Sequence, residues 1–201
     1  MNPPSDRRYV SRGGEKLAAA LDHFGIDVGG RTCADLGSHI GGFVDCLLRR
    51  GATRVYSVDT SYGTLAWKLR KDPRVVVLER TNAMHVVTAE LCQFVTIDVA
   101  WTRQSKVLPQ AARIITEGAT VLTLIKPHYE GGVEILKDGV LPDELVDGVV
   151  ADVLEQIEAG GWRVLGTAAS VIRGRGGNQE VFAWVERSGP IDTHAGQREG
   201  V

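Results

Sequence analysis

Cysteine is scarce in this 201-residue sequence: Cys33, Cys46 and Cys92 stand far apart, and no Cys-x-x-Cys occurs. That usage argues against a disulfide framework and against a cysteine-based zinc site, and it fits a reducing compartment. No apolar run approaches the roughly 20 residues that cross a bilayer. The opening Met1-Asn2-Pro3-Pro4-Ser5-Asp6-Arg7-Arg8 also lacks the apolar centre of a secretory leader. A cytoplasmic protein without a membrane role is therefore expected. Excess positive charge is missing too, since 23 Lys and Arg face 25 Asp and Glu for a formal net charge of -2. A nucleic-acid partner has to be met by a local basic patch, because the overall field supplies no steering.

What is present describes an ordinary globule, with 43% hydrophobic and 24% charged residues over a length that suits one domain. Ser11 suits a helix N-cap, and Leu17, Ala20, Leu21 and Phe24 share one helical face before Gly25. Strands are expected at 32–36, 54–58, 74–78, 94–97 and 120–125, with helices over 65–69 and 105–115. A longer helix opens at Pro142 and runs to Gly160-Gly161, and two further strands follow at 162–166 and 180–185. Strands alternating with helices give an α/β fold built on parallel strands. Pro109 is tolerable near the beginning of its helix. Residues 1–8 read as a flexible lead, 9–187 as the folded domain, and 188–201, rich in glycine and charge, as a disordered tail.

The stretch Ala34-Asp35-Leu36-Gly37-Ser38-His39-Ile40-Gly41-Gly42-Phe43 carries an acidic strand end into a glycine-rich turn and then into an amphipathic helix. Glycines at 37, 41 and 42 let a ligand approach the backbone. A dinucleotide fingerprint would place its second glycine where His39 stands, which disfavours a pyrophosphate. The pattern instead looks like the S-adenosylmethionine loop of methyltransferases, although a tight turn without a ligand remains open. Asp59 ends the next strand, where an alternating fold holds a ribose hydroxyl. Asp98 and Lys126 also follow strands. In open parallel sheets ligands bind beyond the carboxyl ends of the strands, so Asp35, Asp59, Asp98 and Lys126 are expected to gather there.

The order Tyr9-Val10-Ser11-Arg12-Gly13-Gly14-Glu15-Lys16-Leu17, Asp35 to Phe43, Val58-Asp59-Thr60-Ser61-Tyr62-Gly63-Thr64-Leu65-Ala66-Trp67, Glu79-Arg80-Thr81-Asn82-Ala83, Ile125-Lys126-Pro127-His128-Tyr129-Glu130 and Asn178-Gln179-Glu180-Val181-Phe182 is specific. It resembles the successive motifs of the TlyA (hemolysin A) branch of FtsJ-like RNA 2'-O-methyltransferases, from about Tyr9 to Val185. The resemblance implies a three-layer Rossmann-like fold with a mostly parallel sheet and an antiparallel last strand. It implies S-adenosyl-L-methionine as cofactor and RNA, in particular ribosomal RNA or ribosomal subunits, as partner. A Lys-Asp-Lys-Glu catalytic tetrad maps onto Lys16, Asp98, Lys126 and Glu180. Asp35, Gly37, Ser38, His39, Ile40, Gly41, Gly42, Phe43, Asp59 and Thr60 would surround the cofactor, with Asn82 and Ala83 near its adenine. Such transfer requires alignment of oxygen, methyl carbon and sulfur and the loss of one hydroxyl proton, a task for which Lys126 is the candidate. Asp98 and Glu180 would orient the two amines.

The sequence departs from that family in several places. A small RNA-binding domain usually precedes the methyltransferase part, and here it is expected to be absent. Asp98-Val99-Ala100-Trp101-Thr102-Arg103 replaces the usual Asp-Leu-Ser-Phe-Ile-Ser, and Ser38-His39-Ile40 replaces Ala-Ser-Thr. Trp101 reads as core or rim packing, with stacking on a flipped base as the alternative. Arg7, Arg8, Arg12 and Lys16, then Lys68, Arg70, Lys71 and Arg74, then Arg173 and Arg175 form local basic groups that either converge around the tetrad or stay scattered. His39, His85 and His128 lack metal-binding spacing, so no metal is assigned. Two other readings remain: an RNA-binding or ribosome-assembly protein that keeps the fold without transfer, and a methyltransferase for a small hydroxylated molecule.

Overall fold

The structure is a computed structural model that describes residues 8–174 and 176–189. Residues 1–7 of the lead, Arg7 among them, Arg175 and positions 190–201 of the tail lie outside the described residues.

The sheet is built outward from its most apolar strands. Thr32–Leu36 (β1) pairs in parallel with Arg54–Val58 (β2) on one side and Cys92–Ile97 (β4) on the other. Val75–Leu78 (β3) extends one edge, and Ile115–Ile125 (β5) the opposite one. Val181–Arg187 (β7) then inserts antiparallel between β5 and Trp162–Ala169 (β6), giving the order β3-β2-β1-β4-β5-β7-β6. Strands covered on both faces carry near-continuous apolar runs, which is why Cys33-Ala34 in β1 and Phe94-Val95 in β4 are fully buried.

Helices cover both faces. Arg12–Phe24 (α1), Gly42–Arg49 (α2) and the single turn Trp67–Arg70 (α3) send Leu17, Leu21, Phe43, Leu47 and Leu69 onto one face, against Val55, Phe94, Leu122 and Phe182. Gln104–Ala111 (α4) and Asp143–Ala159 (α6) send Val107, Leu108, Val153 and Ile157 onto the other, against Tyr56, Val95, Ile97 and Val185. Residues of one strand alternate between the two cores, as a period of two requires.

Helices α1 and α2 meet closely at their first turns. A Cβ on Gly42 would overlap Ser11 Oγ and stand 2.9 Å from Gly14 N, so glycine is what permits the approach. Ser11 occupies the N-cap position without a side-chain capping bond, and Gly25 ends α1 in the left-handed conformation.

Several boundaries differ from those expected. The helix expected over 65–69 is only Trp67–Arg70, because Ala66 stays extended and its N–H donates to the Ile40 carbonyl at 3.1 Å. The helix expected to reach Ile115 stops at Ala111, so Pro109 lies in its second half, not near its beginning. A proline there removes one backbone donor, and the helix ends two residues later. Ile115 instead begins β5, whose N–terminal half is joined to β4 through a register shift between Cys92 and Phe94.

Candidate active site

Strands β1, β2, β4 and β5 run in parallel and therefore end at one rim, where Asp35-Leu36-Gly37, Asp59, Asp98 and Lys126 follow. Glu180 joins them for a topological reason. Because β7 is antiparallel, its first residue lies at the rim: Val181 pairs with Ile125, which sets Glu180 beside Lys126. A parallel β7 would send Glu180 to the far end of the sheet. Lys16 arrives from α1 above the glycine loop.

Two cavities open along the rim. The first, about 330 Å³, is lined by Lys16, Asp35, Asp98, Lys126 and Glu180 together with loop residues Gly37, Ser38, His39, Ile40, Gly42 and Phe43. The second, about 610 Å³, is lined by Asp59, Thr60, Asn82 and Ala83, and by Thr81 and the segment from Val99 to Thr102. Gly37, His39, Asp98 and Lys126 belong to both, so the cavities share a wall. Gly37 has φ 95°, and a Cβ there would stand 2.6 Å from the Asp98 carbonyl oxygen, so the two strand ends touch backbone to backbone.

The first cavity holds two ion pairs. Lys16 Nζ lies 2.6 Å from Glu180 Oε2, and Lys126 Nζ lies 2.6 Å from Asp98 Oδ1. Lys126 also donates to the Val99 carbonyl at 3.1 Å and to the Asp98 carbonyl at 3.5 Å, so the end of β4 fixes its amine at the cavity wall. All four side chains are largely withdrawn from water. Asp35 lies deeper, 1% exposed. Its Oδ1 accepts a 2.7 Å hydrogen bond from Thr96 Oγ1, while Oδ2 has no partner among the described residues. Burial pushes this carboxyl up to about 8, the Thr96 bond opposes the shift, and the charges of Asp98 and Asp59 add to it.

In the second cavity Asp59 is held by three donors. His39 N donates to Oδ2 at 2.8 Å, and Ser61 N and Oγ donate to Oδ1 at 2.8 and 2.6 Å. Burial pushes the Asp59 carboxyl up, but the Ser61 and His39 bonds outweigh it and the net shift is downward. The acid is thus ionised and fixed, with one lone pair, on Oδ2, left for a ligand hydroxyl. Asn82 Oδ1 accepts from Met84 N and begins a 3₁₀ turn, and Ala83 sits below it. His39 adopts φ 48°, an uncommon conformation for a non-glycine residue, held by the bond to Asp59.

Some expected residues are placed differently. Gly41 lines neither cavity and packs against Leu65 and Leu69. Phe43 forms a wall from within the core, its ring 6.1 Å from that of Phe182. Ser38 is buried, its Oγ accepting from Ser57 Oγ at 2.8 Å.

Trp101 is not in the core. It is 81% exposed, with φ 63°, and its ring centroid stands 4.5 Å from that of Tyr129, which in turn stands 4.0 Å from His128. Pro127 starts the short helix Pro127–Glu130 (α5) directly after Lys126, and this turn carries His128 and Tyr129 back over the first cavity. Burial, and then the Lys126 charge, hold His128 below the usual imidazole value, and its Nδ1 has no partner among the described residues. These contacts, with Arg12 and Thr81, escape a reading based on strand ends. The signal was the quoted run from Ile125 to Glu130, whose proline turns the chain back.

The basic groups do not merge into one patch. Arg12 and Lys16 line the first cavity, whereas Lys68, Arg70, Arg74 and Arg173 pair with Asp45, Glu79, Asp72 and Asp143. Among the described residues no helix is long and apolar enough to cross a membrane.

The family pattern described as FtsJ-like methyltransferase matches residues 9–187. The chain belongs to the FtsJ-like methyltransferase family. Within it, the 16S/23S rRNA (cytidine-2'-O)-methyltransferase TlyA of Mycobacterium tuberculosis is 40% identical over 186 residues, covering 90% of this chain and 69% of that protein. Hemolysin A of Brachyspira hyodysenteriae is 34% identical over 182 residues, covering 88% of this chain and 76% of its own. A Streptococcus thermophilus structure designated a hemolysin superposes with a TM-score of 0.87 at 36% identity, covering 92% of this chain and 70% of that one. This FtsJ-like chain therefore shares its fold with that structure over 92% of its own length.

Proposed function

We propose that this chain transfers a methyl group from S-adenosyl-L-methionine to a ribose 2'-hydroxyl of ribosomal RNA. The observation that carries the reading is the meeting of two lysine–carboxylate pairs, Lys16–Glu180 and Lys126–Asp98, in a cavity that shares a wall with the Asp59 cavity.

The residues present fit the cofactor. Asp35 Oδ2, buried and without a described partner, suits an ammonium group. The fixed Asp59 carboxylate suits a ribose hydroxyl, and Asn82 and Ala83 suit an adenine edge. When bound, the cofactor supplies a methyl group already activated on a sulfonium.

The protein's task is then alignment and one proton. Lys126 Nζ faces the ribose oxygen, with Asp98 and the Val99 carbonyl fixing its direction. Transfer to the ribose oxygen requires the loss of its proton, which Lys126 would accept in its neutral amine form, with Asp98 at 2.6 Å balancing the ammonium charge that results. Lys16, anchored by Glu180, stabilises negative charge developing on the oxygen. General-base help of this kind supplies about 10²- to 10⁴-fold, and alignment the rest. The exposed Trp101 ring, stacked on Tyr129 at the mouth, offers a face to an unstacked base.

The test is to incubate the protein with methyl-labelled cofactor and, separately, ribosomal subunits, total RNA and a small-molecule extract, then digest the RNA to nucleosides. Label on a ribose 2'-oxygen supports the reading. Label only in the small-molecule pool, or cofactor binding with no transfer, overturns it.

A further inference from the structure

A third hollow, about 550 Å³, lies on the outer side of the glycine loop and belongs to neither cavity described above. Tyr62, Thr64, Trp67 and Arg70 line it. Tyr62 and Trp67 are 70% and 66% exposed, so neither ring serves the core. Each has a cation over its ring: the Arg80 guanidinium is 4.3 Å from the Tyr62 centroid, and Lys71 Nζ is 4.7 Å from that of Trp67. Arg80 and Lys71 make no ion pair among the described residues, whereas their neighbours Lys68, Arg70 and Arg74 are all neutralised by carboxylates. Free charge in this region is thus confined to the two cations that sit on the two rings.

The hollow is preformed. Gly63 N donates to Glu79 Oε1 at 2.9 Å, Arg80 N to the Ser61 carbonyl at 3.1 Å and Thr81 N to the Asp59 carbonyl at 3.0 Å. Arg80 itself has φ 52°, a conformation uncommon for its residue type. On the inner side Ala66 N donates to the Ile40 carbonyl, which fastens the hollow's floor to the glycine loop. Its rim therefore moves with Asp59 and with the first cavity, and a ligand loses little binding energy to ordering the protein.

Two exposed aromatic rings, each backed by an unpaired cation and separated by a hollow, match one ligand chemistry. A polyanion whose units carry π-faces stacks on the rings while its phosphates meet the cations. A duplex keeps its bases stacked internally and offers no free face. We infer that the hollow is a second contact for the substrate RNA, stacking unpaired nucleotides on Tyr62 and Trp67 while Arg80 and Lys71 meet their phosphates. The inference rests on the reading of RNA as substrate, and it assigns the recognition of flanking nucleotides to the methyltransferase part of the chain.

The test measures fluorescence anisotropy of a labelled single-stranded oligouridine and of an RNA duplex with the whole protein. The pair Tyr62→Ala and Trp67→Ala should weaken binding of the single strand by about tenfold or more, the scale of lost base–aromatic stacking. The pair Tyr62→Phe and Trp67→Phe should stay within about threefold of the unchanged protein, since stacking survives without the hydroxyl or indole N–H. Arg80→Gln, at an exposed position, should weaken binding more at low salt than at high salt. Equal affinity of the alanine pair and the unchanged protein for oligouridine, an equal loss on the duplex, or an equal loss in the phenylalanine pair overturns the inference. Stacking-dependent binding without methyl transfer to ribosomal RNA removes the proposed activity and supports this contact. Transfer without stacking dependence removes this contact alone.

Discussion

Glu180 reaches Lys16 across 164 positions of sequence, its Oε2 2.6 Å from the amine, and it does so over a floor formed by Gly174. A Cβ on Gly174 would overlap the Glu180 carboxylate. The loop is held in turn by Gly174 N donating to the Asn178 carbonyl at 2.9 Å and by the buried Asn178 side chain accepting from Leu141 N at 2.8 Å.

Gly174→Ala should therefore push Glu180 off Lys16 while leaving the Asp59 cavity alone. We expect methyl transfer to fall by about a hundredfold, the scale of a misplacement near 1 Å, with cofactor affinity from calorimetry close to that of the unchanged protein. Unimpaired transfer would separate Glu180 from the site.

Asp35 ties stability to pH. Its folded value of about 8 stands above the ordinary 3.8, so between those values the folded chain holds a proton that the unfolded chain has released. Stability contributed by this group is complete below pH 3.8 and is lost as pH rises through about 8. Asp35→Asn keeps an acceptor for Thr96 and removes the titration. At pH 8.5 the variant should melt several degrees higher, taking about 2–4 °C per kcal/mol for a domain of this size. At that pH, above the Asp35 value, the variant should also bind cofactor at least about tenfold more weakly through the loss of one charged partner. Melting curves across pH decide the first point: parallel profiles for the two proteins would mean that Asp35 does not titrate in this range.

Asp59 is the fixed acid of the larger cavity. Asp59→Ala removes the acceptor of three hydrogen bonds, from His39 N, Ser61 N and Ser61 Oγ, so the glycine loop and the Ser61 turn both lose their tie. Cofactor affinity should drop by about ten- to a hundredfold, as expected where a charged hydrogen-bond acceptor is removed. Affinity equal to that of the unchanged protein in calorimetry would place the cofactor elsewhere.

How far the sequence foretold this arrangement depended on what each residue obeys. The strands at Thr32–Leu36 and Arg54–Val58 were legible because short apolar runs bounded by glycine and polar residues leave little choice. The gathering of Asp35, Asp59, Asp98 and Lys126 followed from parallel strands sharing a rim. Lys16 and Glu180 could not be placed by that rule. Lys16 depends on the glycine-to-glycine approach of α1 and α2, and Glu180 on the reversed direction of β7, and both are tertiary facts that only the family resemblance foretold. The helix expected at Leu65 failed because Ala66 is claimed by the Ile40 carbonyl, a contact between segments. For Trp101, expected in the core or at the rim, the choice fell to the rim for a related reason: its surroundings are set by Tyr129, which Pro127 turns toward it from another strand end.

The central claim is that Lys126 handles the proton of a ribose hydroxyl, and the measurement that tests it most directly is single-turnover transfer of labelled methyl to ribosomal subunits by Lys126→Ala beside the unchanged protein. The account predicts a fall of about 10²- to 10⁴-fold with cofactor affinity retained and the remaining label still on the 2'-oxygen. Transfer at the normal rate, or label on a base instead of a ribose, would contradict it.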